Sequence, residues 1–134
     1  MNLGTPIGTR PEPRGTLRLW IPASGVFVTE CTGHMSLQFA KDIVERGQAE
    51  FERMGRLAIF HDWEKLATYD SPARPLLTDW GLSLRRSPVT VNLLIGSKLV
   101  RMGVSVASIA LGGMLIAHPN RAAFEAALRS SLRG

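Results

Sequence analysis

A single cysteine, Cys31, among 134 residues rules out an internal disulfide. That excludes the stapled class of small secreted domain and makes a reducing cytoplasm the expected compartment. Histidine is scarce too: His34, His61 and His118 lie far apart, with no second histidine at metal-ligand spacing from the first. Met1 to Gly15 has no apolar run, only scattered Gly, Pro and Thr among other residues, which is not the pattern of a secretory leader. The longest apolar stretch, Leu99 to Ala117, is interrupted by Arg101, two serines and the glycines Gly103, Gly112 and Gly113. It reads as a buried helix followed by a buried strand, and no transmembrane segment is expected.

Acidic residues thin out toward the C-terminus. From Trp80 to Gly134 seven basic residues face one acid, Glu125, while Glu30 to Asp79 is acidic on balance. The excess suits an acidic partner or an anionic lipid surface, but it equally describes solvated charge on separate elements, the preferred reading. Aromatics total 7% and are not interleaved with the basic residues, so nucleic acid is not an expected partner.

What is present is a patterned chain long enough for one domain and its core, not two. Residues 1–15 read as a flexible arm, and the domain as 16–134. Leu17, Leu19 and Ile21 alternate with Arg18 and Trp20, the period of a half-buried strand. Turn residues Pro22 to Gly25 lead to a second strand, Val26 to Thr32, so an antiparallel hairpin is expected, closed by Gly33. Leu37, Ala40, Val44, Gly47, Phe51 and Met54 then recur at helical spacing, opposite Lys41, Asp42, Glu45, Arg46, Glu50 and Glu52. Ser36 suits the N-cap of that helix and Gly55 its end.

Leu57 to Phe60 reads as a buried central strand ending in His61-Asp62, with Trp63 to Ser71 as a loop. Pro72 at a first helical position opens a second helix through Ala73, Leu76, Leu77, Trp80 and Leu84. Val89 to Ile95 is a third buried strand. Ser97 caps a helix over Lys98 to Leu111, Gly112-Gly113 break it, Met114 to Ala117 form a strand, and Pro119-Asn120 start the last helix. The order ββαβαβαβα, about five strands and four helices, implies a layered α/β domain with a mixed, mostly parallel sheet.

This order resembles that of the STAS-like domains, whose best-known members are bacterial anti-sigma-factor antagonists, and is most similar to the divergent STAS/SEC14 branch. His61-Asp62-Trp63-Glu64 with Tyr69-Asp70-Ser71 carries the likeness in one segment. Ser97-Lys98-Leu99-Val100, Gly103-Val104, Met114-Leu115-Ile116 and Arg121-Ala122-Ala123-Phe124-Glu125-Ala126-Ala127-Leu128 carry it in another. The resemblance implies a non-enzymatic signalling module without a cofactor that works by protein–protein contact, its partner a kinase-like anti-sigma factor or another signalling protein. It also implies phosphorylation of a serine at the start of the second helix, and Ser71 alone falls in that place. Classical members continue with a second serine and small glycines, whereas this chain continues Pro72-Ala73-Arg74. The alternative is a module that binds a small apolar or anionic lipid ligand through the C-terminal half.

The candidate contact residues are Asp62, Trp63, Tyr69, Asp70 and Arg74, with Ser71 as the phosphorylation candidate. Ser71 before Pro72 is also well placed to cap the helix. Trp63 and Tyr69 suit either exposed binding aromatics or a lid over the core. His61, Asp62 and Glu64 end a central strand, where α/β folds often place ligand sites. His61 and Asp62 point to opposite faces, however, and nucleophile, base and orienting group do not converge, so neither a catalytic nor a metal site is expected. Asp62 is expected to cap local backbone. Cys31 reads as a small buried hydrophobe. Gly112-Gly113 precede a strand, which excludes a phosphate loop.

Overall fold

The computed structural model describes residues 2–134 and contains seven strands and four α-helices: β1 (Gly8–Glu12), β2 (Gly15–Ala23), β3 (Val26–Met35), α1 (Leu37–Met54), β4 (Leu57–Trp63), β5 (Leu66–Tyr69), α2 (Ala73–Leu84), β6 (Val89–Ile95), α3 (Lys98–Leu111), β7 (Leu115–Ala117) and α4 (Arg121–Leu132). All strands join one sheet in the order β1-β2-β3-β4-β6-β7, with β5 also against β3. β1, β2 and β3 pair antiparallel, and every later pairing is parallel. The α/β class and the mostly parallel centre are as the element order implies.

Each parallel crossover steps the same way across the sheet, from β3 to β4, to β6, to β7. Right-handed crossovers that all advance in one direction stack their helices on one face. α1, α2 and α3 accordingly share a core with Phe27, Ile59 and Leu93. The opposite face is left to α4, whose Phe124 and Leu128 cover Val26, Val28, Phe60 and Leu94. Strand alternation supplies both cores: along β4, Leu57, Ile59 and Trp63 face the three helices while Phe60 faces α4.

Three expected boundaries are corrected. The stretch read as a flexible arm holds β1, whose Gly8 to Glu12 pair with Leu19 to Gly15. Pro11 sits there at the sheet edge, where a missing N–H costs nothing, and Arg10 pairs with Asp42 of α1. Met1 lies outside the described residues. Trp63 to Ser71, read as a loop, contains β5, which takes up pairing with β3 where β4 leaves it. Gly33 does not end β3: it adopts φ +77° at a register shift, and a side chain there would meet the Arg14 carbonyl at 2.4 Å. Ser36 caps α1 as expected, accepting from the Phe39 N–H at 3.2 Å.

Candidate functional site

β5 ends against Met35 and delivers the chain into a tight corner. The Asp70 N–H donates to the Met35 carbonyl at 2.8 Å, and the Ala73 N–H to the Asp70 carbonyl at 2.9 Å, which turns the backbone into α2. The Asp70 carboxylate reaches away from that corner to the first turn of α1. One oxygen accepts the Leu37 N–H at 2.9 Å, and the other lies 2.7 Å from His34 Nε2. His34 Nδ1 lies 2.7 Å from the Thr68 hydroxyl. The carboxylate requires Nε2 to donate, so in the neutral ring Nδ1 accepts from Thr68. The His34 hydrogen bond, then the Leu37 N–H, hold the Asp70 carboxyl below the usual carboxylate range. Asp70 therefore ties the start of α1 to the start of α2.

Ser71 is exposed at the apex. It does not cap α2: Pro72 occupies the cap position with helical φ and ψ, and the Ser71 hydroxyl has no hydrogen-bond partner among the described residues. Arg74 and Tyr69 are half-buried beside it.

Trp63 is not an exposed binding aromatic. Its ring is 7% exposed, faces α2 and α3, and stacks on His61 with centroids 4.3 Å apart. The lid-over-core alternative describes it, because position 63 shares the inward face of β4 with Leu57 and Ile59. His61 is fully enclosed, its Nδ1 2.7 Å from the Thr29 hydroxyl, and burial pushes its pKa down to about 3. It stays a neutral structural ring across the physiological range. Burial likewise pushes the Cys31 thiol up to about 12, which leaves it unreactive.

Asp62 points to the other face, and its expected local capping is corrected. Both its oxygens accept from Arg121 Nη2, at 2.9 and 3.0 Å, while Glu64 lies 2.8 Å from the same nitrogen and Glu125 3.5 Å from Nη1. The hydrogen bond to Asp62 foremost, then that to Glu64, raise the Arg121 pKa against the opposing effect of burial. The cluster pins the first residue of α4 to the end of β4. Arg121 was not singled out from sequence, yet a signal existed: a cation in the first turn opposes the helix dipole and needs carboxylates elsewhere to hold it. Among the described residues no group of three or more His, Cys, Asp or Glu side chains is arranged to hold a metal ion.

Between the sheet and α2/α3 lies a cavity of about 80 Å³ with mostly apolar walls, among them Met35, Trp63, Leu77 and Val104. No described helix is long and apolar enough to cross a membrane.

With this geometry in view, comparison with solved structures is informative about the fold. The anti-sigma factor antagonist SpoIIAA in its unphosphorylated form superposes with a TM-score of 0.65 at 18% identity, over 86% of this chain and 96% of that one. An uncharacterised protein of the DUF3478 family from Shewanella loihica PV-4, described as having a SpoIIAA-like fold, gives 0.57 at 11% identity, over 88% and 89%. No protein-family model matches the chain, and no curated protein matches it in sequence.

Proposed function

We propose that this chain, which has a STAS-like, SpoIIAA-like fold, is a non-enzymatic regulatory module that docks a signalling protein on its Tyr69–Arg74 corner, with docking controlled by phosphorylation of Ser71. The observation that carries this reading is the exposed Ser71 hydroxyl, unengaged by described residues, at the apex of a corner that Asp70 braces against α1. A phosphate on Ser71 would sit at the N-terminus of α2, whose dipole favours negative charge, with the Arg74 N–H as the donor of that turn, since Pro72 and Pro75 carry no N–H and the Ala73 N–H is held by the Asp70 carbonyl. It would also stand next to the Asp70 carboxylate and repel it, loosening the hold of Asp70 on His34 and Leu37. Modification thus changes both the charge of the corner and the brace behind it. Tyr69 and Arg74 supply the contact surface; buried Trp63 lies in the core on the same face of the sheet as Tyr69, while Asp62 is held on the other face by Arg121. The partner suited to this role is a kinase-like anti-sigma factor or a comparable signalling protein in a bacterial cytoplasm.

The test is a pull-down from the native lysate with wild type, Ser71→Asp, Tyr69→Ala and Arg74→Glu, together with mass-spectrometric mapping of phosphate on the protein from cells. Partners recovered with wild type are lost in Arg74→Glu and Tyr69→Ala and altered in Ser71→Asp. Identical partners for all four proteins overturn the interface. Phosphate found only at other serines overturns the control.

A further inference from the structure

The β1–β2 turn is pressed against the end of β3. The His34 N–H donates to the Arg14 carbonyl at 3.0 Å. A Cβ at Gly15 would lie 2.4 Å from the Thr32 carbonyl oxygen, and one at Gly33 2.4 Å from that of Arg14, so glycine at both positions permits the approach. β5 pairs with β3 from the other side, His34 opposite Thr68 and Met35 opposite Tyr69. The turn therefore stands two strand spacings, about 10 Å, from the chain that leads into Ser71. Arg10 and Arg18, flanking the turn, are each occupied by a carboxylate, Asp42 and Glu30. Arg14 is exposed, and its side chain makes no hydrogen bond or ion pair with a described residue. Its charge is nevertheless close enough to Asp70 to help lower that carboxyl's pKa.

On its own side the corner is short of donors. Pro72 and Pro75 lack an N–H and the Asp70 carbonyl holds that of Ala73, which leaves the Arg74 N–H. A phosphate brings three acceptor oxygens and a charge of about −1.5 to −2, more than one backbone donor satisfies. We infer that Arg14 is the receptor for a phosphate on Ser71: modification draws its guanidinium from Asp70 onto the phosphate and straps the β1–β2 turn to the start of α2. The inference rests on the reading of Ser71 given above and adds how that site is regulated. An arginine suits the task, because its planar fork matches two phosphate oxygens at once. The strap closes one side of the docking corner in the modified state and leaves it open in the unmodified one.

The test uses the whole chain with phosphoserine installed at position 71 during synthesis, its phosphorus signal followed by ³¹P NMR across pH. The charged and titratable groups around that phosphate are Asp70 and Arg74 beside it, His34 from β3 and Arg14 from the turn. Asp70 raises its second pKa, ordinarily about 6, and the cations lower it. Arg14→Gln should raise that pKa by about one unit, the effect of losing one close opposite charge, and Arg14→Glu by more. Arg85→Gln, exposed at the far end of α2, leaves it in place. In ¹⁵N–¹H spectra the Arg14 Nε–H signal moves downfield with the same midpoint in the phosphorylated chain and stays put in the unmodified one, a readout on the unmutated sequence. Equal phosphate pKa values in wild type and Arg14→Gln overturn the assignment. So does an Arg14 signal indifferent to the phosphate, or a larger change from Arg74→Gln than from Arg14→Gln. Because the phosphate is installed during synthesis, the result is independent of whether cells modify Ser71, which the mapping described above decides.

Discussion

Helices α1 and α3 cover the same face of the sheet but are finished differently. α1 buries Phe39, Ala40 and Ile43, and turns outward a polar surface several of whose members are engaged: Asp42 with Arg10 and Gln38, Gln48 with Trp80 and Glu52. Its first turn is capped twice, by Ser36 and by Asp70. α3 buries only Val100 and Gly103, while Leu99, Met102, Val106 and Ile109 stand 48 to 86% exposed on its outer side. The unpaired Trp63 N–H and the cavity lie beneath α3 and its neighbour α2, not beneath α1. One half of the layer is closely packed and ties down much of its polar surface; the other retains slack.

Paired glycine substitutions test this contrast most severely. A Cβ at Gly47 in α1 would lie 2.3 Å from the Trp80 ring and 3.1 Å from Phe27, neither of which can retreat. Gly47→Ala should therefore lower stability by about 3 kcal/mol, as overpacking does, despite alanine's better helix propensity. At Gly103 in α3 the neighbour is the Tyr69 hydroxyl, the far end of a half-buried side chain. Gly103→Ala should cost little, the ~1 kcal/mol gained in helix propensity offsetting the shift of Tyr69. Urea unfolding of both variants checks the pair, and equal losses would erase the distinction.

Next in size is Glu50, buried in α1, where it accepts the Gly25 N–H at 2.7 Å and pairs with Arg53 at 2.8 Å. Burial pushes its pKa up, but the Arg53 and Gly25 hydrogen bonds together outweigh that and lower it. Glu50→Gln should cost about 2 kcal/mol at neutral pH, the worth of hydrogen bonds to a charged group, measured by urea titration.

Asp70 gives a smaller, pH-dependent effect. Its folded-state pKa is depressed, so its contribution is complete above the unfolded value of about 4 and is lost as pH falls through the folded one. Asp70→Asn should flatten the acid limb of the stability profile below that pH, followed by thermal unfolding across a pH series. The smallest effect belongs to the slack side: Ile109→Glu, at 86% exposure, should leave stability within about 0.5 kcal/mol by urea titration.

What could be read from sequence divides along physical lines. The stripe of α1, its Ser36 cap and the alternation of Leu17 to Ile21 are local patterns, and they reappear in the fold. β1 was hidden because an edge strand rich in Gly, Pro and Thr carries little apolar alternation. β5 was hidden because four residues give no period. At the candidate site, the corner before α2 was legible from Asp70-Ser71-Pro72. The reach of Asp70 to Leu37 and of Asp62 to Arg121 was not, since these contacts span 33 and 59 positions and depend on which strands lie side by side. Trp63 remained open between surface and interior until the pleat of β4 assigned it a side.

Leu3 packs into the same cluster as Ala127 and Leu132 of α4. Leu3 and Leu132 thus both lie on the side of the sheet opposite α1, α2 and α3. A tag or fused domain added at either end would emerge behind the molecule, leaving its helical front unobstructed, so a surface immobilised through either terminus would still offer Ser71 and its surroundings to whatever approaches.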